Sequence, residues 1–283
     1  MKRTEKLFMK IKLIATDLDG TFVNDQKQLL DENVQACSEC VEKGILIVPA
    51  TGRTIIGIPE EIRNIPGVHY AITVNGASVV DLETGEVLSS CLLRAETAIR
   101  IMELARDSED DIMYDAYVDG IGYTRQEFWD NLFHYVPDKG VHELVRKTRK
   151  PVPDNIEYIR RNCETVDKIN LFFVDEKARV RMREVLAKES DILVSSSLSN
   201  NLEINAAGAD KGRALLRLAE TLGIRREETM AFGDGENDIS MIRLAGIGVA
   251  MENAEESVKA AADYITVTNN EAGVAAALRK YVL

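Results

Sequence analysis

Two aspartates, Asp17 and Asp19, close an apolar run in "LIATDLDGTF" (13–22), and Gly20 and Thr21 follow at once. A carboxylate withdrawn from water without a partner is penalised heavily. The pair therefore marks either a plain turn or a place where something cationic binds. Two further polar clusters end apolar runs in the same way: Thr51-Gly52-Arg53 after "ILIVPA" (45–50), and "GDGEND" (233–238) after "TMAF". Asp17, Asp19, Asp234 and Asp238 gathered in one crevice would repel, and would either take up protons or bind a cation. Oxygen ligands with room for water suit Mg²⁺. The same clusters offer donors: the Thr51 hydroxyl, the backbone N–H groups of Leu18, Asp19 and Gly52, the Lys211 ammonium and the Asn237 amide. Such donors suit a phosphoryl group. A carboxylate that attacks phosphorus gives an aspartyl-phosphate. A second carboxylate two residues on is placed to protonate the leaving oxygen and later to deprotonate water.

Each cluster alone has a plainer reading. A lone D-x-D-G is usually a turn, and a lone lysine is usually a surface residue. The first cluster is not a calcium loop, because glycine comes fourth and position twelve is Gln28. No G-x-x-x-x-G-K-[ST] phosphate loop occurs, and "GDGEND" lacks the third glycine of a dinucleotide fingerprint. The order of the clusters, each at the end of an expected strand, favours a shared site.

The elements around them are those of an α/β fold. "KIKLIAT" (10–16), "ILIVPA" (45–50) and "YAITVNGA" (70–77) are apolar enough to be strands covered on both faces. A helix is expected from Asp31, read as its N-cap, to Gly44. The last third repeats the pattern: a helix from about Asp210 to Leu222 with Lys211 at its start, a strand at 229–234, a helix in "NDISMIRLAG", a strand in "IGVAM", a helix near 254–262, "YITV" and a C-terminal helix to Val282. Alternating units of this kind predict a doubly wound, mainly parallel, Rossmann-like sheet, whose ligands bind beyond the strand ends where the winding reverses. Lys211 at a helix start opposes the macrodipole, a mild penalty that service to a ligand explains. The middle differs. Hairpins turn at Thr84-Gly85 and Asp119-Gly120, helices are expected at about 95–107 and 176–189, and "KINLFFVD", "ILVSSS" and "NLEIN" read as strands. Tyr117, Tyr123, Phe128, Trp129 and Phe133 read mainly as core, and "RKTRKPVP" (146–153) as a surface loop. This is an α+β domain inserted into the α/β one. The expected division is 1–85 with 204–283 for the core, and 86–203 for the insert.

Composition bounds the alternatives. The chain has 283 residues, 45% hydrophobic and 29% charged, enough for a sizeable core. Its net charge, 35 − 47 = −12, argues against gripping a nucleic-acid backbone. No run reaches the length of a membrane span. The N-terminal residues carry lysines through their apolar part and no small-residue cleavage site, so no secretory signal and a cytoplasmic location are expected. Cys37 and Cys40 form a C-x-x-C inside a helix pattern, with no second ligand pair near, and read as small core residues.

"DLDGT" after an apolar strand, "TGR", a lone lysine at a helix start and "GDGENDISMI" resemble the four motifs of the haloacid dehalogenase superfamily of phosphatases. "NLEINAAGADKGRALLRLAETLGI" and "GIGVAMENA" resemble its Cof-type sugar-phosphatase branch, which carries an α/β cap of type IIB. The resemblance implies Asp17 as nucleophile and Mg²⁺ ligand, and Asp19 as acid/base with its backbone carbonyl on the metal. It implies Asp234 as third ligand and Asp238 as the residue orienting Lys211 or a metal-bound water. Leu18 and Gly52 would bind phosphate through backbone N–H groups, and Thr51, Lys211 and Asn237 through side chains. The superfamily's strand order places the strands ending at Thr51 and Asp234 on either side of the Asp17 strand. The implied activity is Mg²⁺-dependent hydrolysis of small phosphorylated metabolites: sugar phosphates, FMN or pyridoxal phosphate. A phosphomutase and a non-catalytic phosphoryl-accepting module are the alternatives.

Overall fold

The computed structural model describes residues 10–283. Residues 1–9, on which the expectation about a secretory signal rests, lie outside the described residues. The chain divides into two compact units, one of residues 10–52, 58–90 and 210–283, the other of 53–57 and 91–209.

In the first unit the described elements alternate as expected. Strand β1 (Leu13–Thr16) is buried along its length. Helix α1 (Asp31–Glu42) leads to β2 (Leu46–Pro49). Asp31 is the first residue of α1 rather than its cap; Leu30 takes the cap position and has no side chain able to bond there. Gly44, at φ 76°, ends the segment as its lack of a Cβ allows. Strands β3 (Tyr70–Thr73), β4 (Ser78–Asp81) and β5 (Val87–Ser90) form a small antiparallel sheet. Helix α2 (Lys211–Thr221), β6 (Thr229–Gly233), α3 (Ile239–Leu244), β7 (Ile247–Ala250) and β8 (Tyr264–Ile265) follow.

Among the described residues the main sheet has the order β8-β7-β6-β1-β2, all parallel. Thr16 at the end of β1 stands level with Pro49 of β2 and Phe232 of β6. The chain therefore leaves three adjacent strands at one edge, at Asp17, near Thr51 and at Asp234. Side-chain alternation sends Ile14, Ile47 and Phe232 to one face, with Cys37 and Cys40 of α1. It sends Leu13, Ala15 and Val48 to the other, with Leu215 and Leu218 of α2 and Met241 of α3. Both faces are covered, which is why these strands are apolar throughout. Burial pushes the Cys40 thiol up to about 11 and Cys37 higher still, and both behave as core residues.

The run at 70–77 departs from the expectation of one core strand. It breaks after Thr73, where Val74, Asn75 and Gly76 take φ values of 51°, 59° and 93°. The chain turns back as β4, and β3 meets β2's end through the single parallel bridge Ala50–Ile72.

The second unit carries a six-stranded sheet in the order Ile192–Ser195, Asn201–Ala206, Lys168–Phe173, Ile112–Val118, Ile121–Arg125 and Arg149–Val152. The expected turn at Asp119-Gly120 is tight, with φ 50° and 76°. Ile101 and Met102 of the helix Ala95–Arg106, Ile159 of Asn155–Asn162 and Leu186 of Glu176–Leu186 share a core with Ile169 and Leu171. Phe128 and Tyr117 are buried, whereas Phe133 is 55% exposed. "RKTRKPVP" is not a surface loop. Helix Lys139–Thr148 runs into strand Arg149–Val152, which pairs in parallel with its neighbour. Arg149 is buried because its Nε donates to Asp115 at 3.1 Å, so its charge is offset inside the unit. Pro151 fits this strand because it lies at the sheet edge. Among the described residues no helix is long and apolar enough to cross a membrane.

Candidate active site

Asp17 leaves β1 with its N–H donated to the Phe232 carbonyl of β6 at 3.0 Å. Its side chain is 9% exposed, and its Oδ1 accepts from Lys211 Nζ at 2.6 Å. Lys211, fully buried, also donates to Asp238 Oδ1 at 2.6 Å. The other Asp238 oxygen accepts the backbone N–H groups of Asp234 and Gly235, each at 3.0 Å. Asp238 thus ties Lys211 to the loop after β6 and has both oxygens engaged. Gly233 is required here, since a Cβ would strike the Asp238 side chain. Asp234 completes the cluster: one oxygen of each of Asp17, Asp234 and Asp238 lies within 4.8 Å of the others.

The loop after β1 is shaped to the same cluster. The Leu18 carbonyl accepts the N–H groups of Thr21, Phe22 and Val23, coiling the chain into one turn, while the Leu18 side chain is buried in the core. Gly20, at φ 80°, lies against Asp234, where any Cβ would meet the carboxylate. Thr21 then donates its hydroxyl to Asp234 Oδ1 at 2.6 Å. The Asp19 carboxylate accepts from Lys27 Nζ at 2.9 Å; it is not one of the three clustered carboxylates, though its charge acts on both Asp17 and Asp234.

Thr51 is buried just past β2, and its N–H donates to the Ile72 carbonyl at 2.9 Å. Gly52 follows it, half-buried. Asn237 donates its amide to Asn75 Oδ1 at 3.1 Å, and the Asn75 N–H donates to the Thr51 carbonyl at 3.0 Å. Asn75 therefore links two of the expected phosphate-binding residues. It sits in the turn with three successive positive φ values, one of them at the β-branched Val74, where such a conformation is costly. The turn is held against α2: the Gly76 carbonyl accepts from Arg217 at 3.0 Å, and a Cβ on Gly76 would strike the Asp210 backbone. The sequence motifs assign no role to Asn75 or to the Thr21 hydroxyl. The Asn-Gly pair is a turn signal that was there to be read; the Thr21–Asp234 bond joins positions far apart in the chain.

Three carboxylates around one ammonium leave excess negative charge in a buried place. Burial, opposed by Lys211 and reinforced by Asp238, Asp234 and Asp19, holds Asp17 well above the carboxylate range. Asp234 is pushed up to about 7, chiefly by burial and then by Asp238. Burial pulls the Lys211 ammonium down, but Asp17 and Asp238 outweigh it and keep the group charged. The arrangement favours any added positive charge, a proton or a metal ion.

Comparisons with known proteins agree with one another. A family model described as haloacid dehalogenase-like hydrolase matches residues 14–278. The 5-amino-6-(5-phospho-D-ribitylamino)uracil phosphatase YcsE of Bacillus subtilis is 34% identical over 96% of this chain and 96% of its own. A haloacid dehalogenase-like hydrolase from Bacteroides thetaiotaomicron superposes with a TM-score of 0.79 at 33% identity, over 96% of this chain and 99% of the other. The subclass IIB sugar phosphatase BT4131 gives a TM-score of 0.79 at 27% identity, covering 95% and 98%.

Proposed function

The chain belongs to the haloacid dehalogenase-like hydrolase family, and we propose that it is a Mg²⁺-dependent phosphatase of small phosphorylated metabolites, working through an aspartyl-phosphate on Asp17. One observation carries this reading: a buried Lys211 clamps Asp17 and Asp238 at 2.6 Å each while Asp234 completes an acidic cluster that one ammonium does not neutralise. Mg²⁺ fits that donor set of hard, buried oxygens. Asp17 and Asp234 would hold it with the Asp19 carbonyl, and Asp238, with both oxygens engaged, would hold Lys211 instead. When bound, the ion supplies Lewis-acid polarisation of a phosphoryl oxygen.

The chain's own residues do the rest. An Asp17 oxygen attacks phosphorus. The bond to the leaving oxygen breaks with its electron pair, and that oxygen takes a proton from Asp19. Asp19, now a carboxylate, deprotonates a water that attacks the phosphoryl group and releases Asp17. The Thr51 hydroxyl, the Asn237 amide, the Leu18 and Gly52 N–H groups and Lys211 are donors to the phosphoryl oxygens. The names carried by relatives, a ribitylaminouracil phosphate phosphatase and a sugar phosphatase, favour a phosphate ester on a polyhydroxylated chain. The test is a phosphate-release screen over sugar phosphates, FMN, pyridoxal phosphate and 5-amino-6-(5-phospho-D-ribitylamino)uracil, with Mg²⁺ and with EDTA. Metal-dependent release is expected. Activity undiminished by excess EDTA contradicts the metal assignment, and phosphoryl return to substrate without release identifies a mutase.

Two further outcomes follow. Asn75→Gly keeps a residue at ease at φ 59° but removes the acceptor that aims Asn237. Losing that one bond is expected to raise KM about fivefold, about 1 kcal/mol, with kcat and melting temperature little changed. An unaltered KM and an unaltered inhibition constant for inorganic phosphate would show that Asn237 needs no such aim. The second outcome concerns pH. A carboxyl whose folded pKa is raised stabilises the fold below its unfolded pKa, and that contribution is lost as pH climbs through the folded value. For Asp234 the window runs from 3.8 to about 7. The metal-free protein therefore loses this contribution across that window, and the melting-temperature gain on adding Mg²⁺ is larger at about pH 8 than at about pH 5. A gain that shrinks with rising pH contradicts the acidic cluster as the binding place.

A further inference from the structure

Lys27 has no place in the motifs, yet it meets Asp19 through a loop built with some care. Its Nζ donates to Asp19 Oδ1 at 2.9 Å. The two side chains are 55% and 37% exposed, and an exposed pair of this kind contributes little to stability. Lys27 itself sits at φ 62°, a left-handed conformation in which a non-glycine residue costs about as much as such a pair returns. Stability alone does not explain a lysine there.

The loop that carries it is braced at several points. Asn24 closes its base, taking the Gln28 N–H on Oδ1 at 2.8 Å and the Lys27 N–H on its carbonyl at 2.9 Å. Asn253 donates to the Gly20 carbonyl at 2.8 Å. Asn269 donates to the Val23 carbonyl at 3.1 Å and to Asp25 at 3.0 Å, and Asn270 donates to Asp25 at 2.9 Å. The segment between Gly20 and Gln28 is thus pinned to two other loops, and the ammonium is presented to Asp19 from a fixed base. Lys211 cannot take this part, because it is committed to Asp17 and Asp238.

We infer that Lys27 is a positioning residue for Asp19, holding the carboxyl group of the proton donor at the rim of the acidic cluster so that it reaches the leaving oxygen. The inference rests on the reading of Asp19 as acid/base given above. In that step the phosphorus–oxygen bond breaks, the leaving oxygen keeps the electron pair, and the proton on Asp19 passes to it. A leaving group acidic enough to depart as an anion does not need the proton, whereas a poorer one does.

The test compares kcat/KM for p-nitrophenyl phosphate and phenyl phosphate, since this ratio reports the steps through departure of the phenol. Lys27→Met is expected to lose about tenfold on phenyl phosphate and less than about twofold on p-nitrophenyl phosphate, part of the roughly 10²–10⁴-fold that proton transfer contributes. Lys27→Arg keeps the cation and is expected to keep both activities. Asp19→Asn shows the same split more strongly, and adding Lys27→Met to it costs nothing further, because the two act as one unit. Equal losses on both esters in Lys27→Met, or none on either, overturn the inference while a split in Asp19→Asn leaves the acid reading standing. No split in Asp19→Asn overturns that reading and the inference with it.

Discussion

Asp17→Asn is expected to reduce phosphate release by about 10⁴-fold or more while the protein stays folded. The argument separates what the side chain does from what it fits. Asparagine has the shape of aspartate, and its carbonyl oxygen accepts from Lys211 where Asp17 Oδ1 now does, at 2.6 Å. Its amide then faces the remaining carboxylates as a donor. The buried place already disfavours a charged Asp17, so a neutral group there relieves repulsion, and the melting temperature is expected to hold or rise. Chemistry suffers the opposite fate. A neutral amide is a poor nucleophile, and no acyl-phosphate forms on it. Steady-state turnover, a thermal melt and a rapid-quench trap for labelled phosphoenzyme check the three parts together. Activity above a few per cent of the parent, or phosphoenzyme in the variant, removes Asp17 from the nucleophile's position.

How the site came to be legible follows from where charge can be tolerated. Asp17, Asp234 and Lys211 stand directly against fully apolar strands or at a helix start, where a charged side chain needs a reason. Strand alternation and length made the parallel sheet readable, and the level ends of β1, β2 and β6 brought the clusters to one edge. Other features depend on partners distant in sequence. Arg149 looks like part of an exposed basic run until Asp115 is placed beside it. Composition reports exposure only on average. The strained turn at Val74–Gly76 reads locally as the end of a strand, and the N-terminus of α2, Arg217 and Asn237, which help hold it in place, all lie far along the chain. Lys27 was hidden for a third reason: an exposed lysine in a polar loop carries no signal until its backbone conformation and its partner are known.

Lys211→Met is expected to damage both stability and turnover, and its pH dependence tells why. The ammonium is fully buried and is shared by Asp17 and Asp238. Methionine fills much of the same volume but leaves two buried carboxylates facing each other without a cation. Breaking a buried pair by deleting one partner costs about 3–5 kcal/mol. The size of the loss depends on protonation. Lys211 draws the Asp17 pKa down against burial and its acidic neighbours. Without it, Asp17 rises further still and binds a proton in the folded state over a wider range. A raised folded pKa favours the fold below the unfolded value of 3.8 and forfeits that advantage as pH climbs. The gap in melting temperature between parent and variant is therefore small near about pH 4 and large near about pH 8. Added Mg²⁺ is expected to narrow the gap, because a cation held by Asp17 and Asp234 offsets part of the negative charge that Lys211 leaves behind in the cluster. Turnover falls by roughly 10²–10³-fold even with metal present, since the charge that steadies the nucleophile and the phosphoryl oxygens is gone. Lys211→Arg does not rescue it: the planar guanidinium is larger than the ammonium and cannot set one point charge 2.6 Å from both carboxylates from a position where the lysine side chain is fully buried. A gap in melting temperature that is constant with pH would mean that the lysine's bulk, and not its charge, holds the site together.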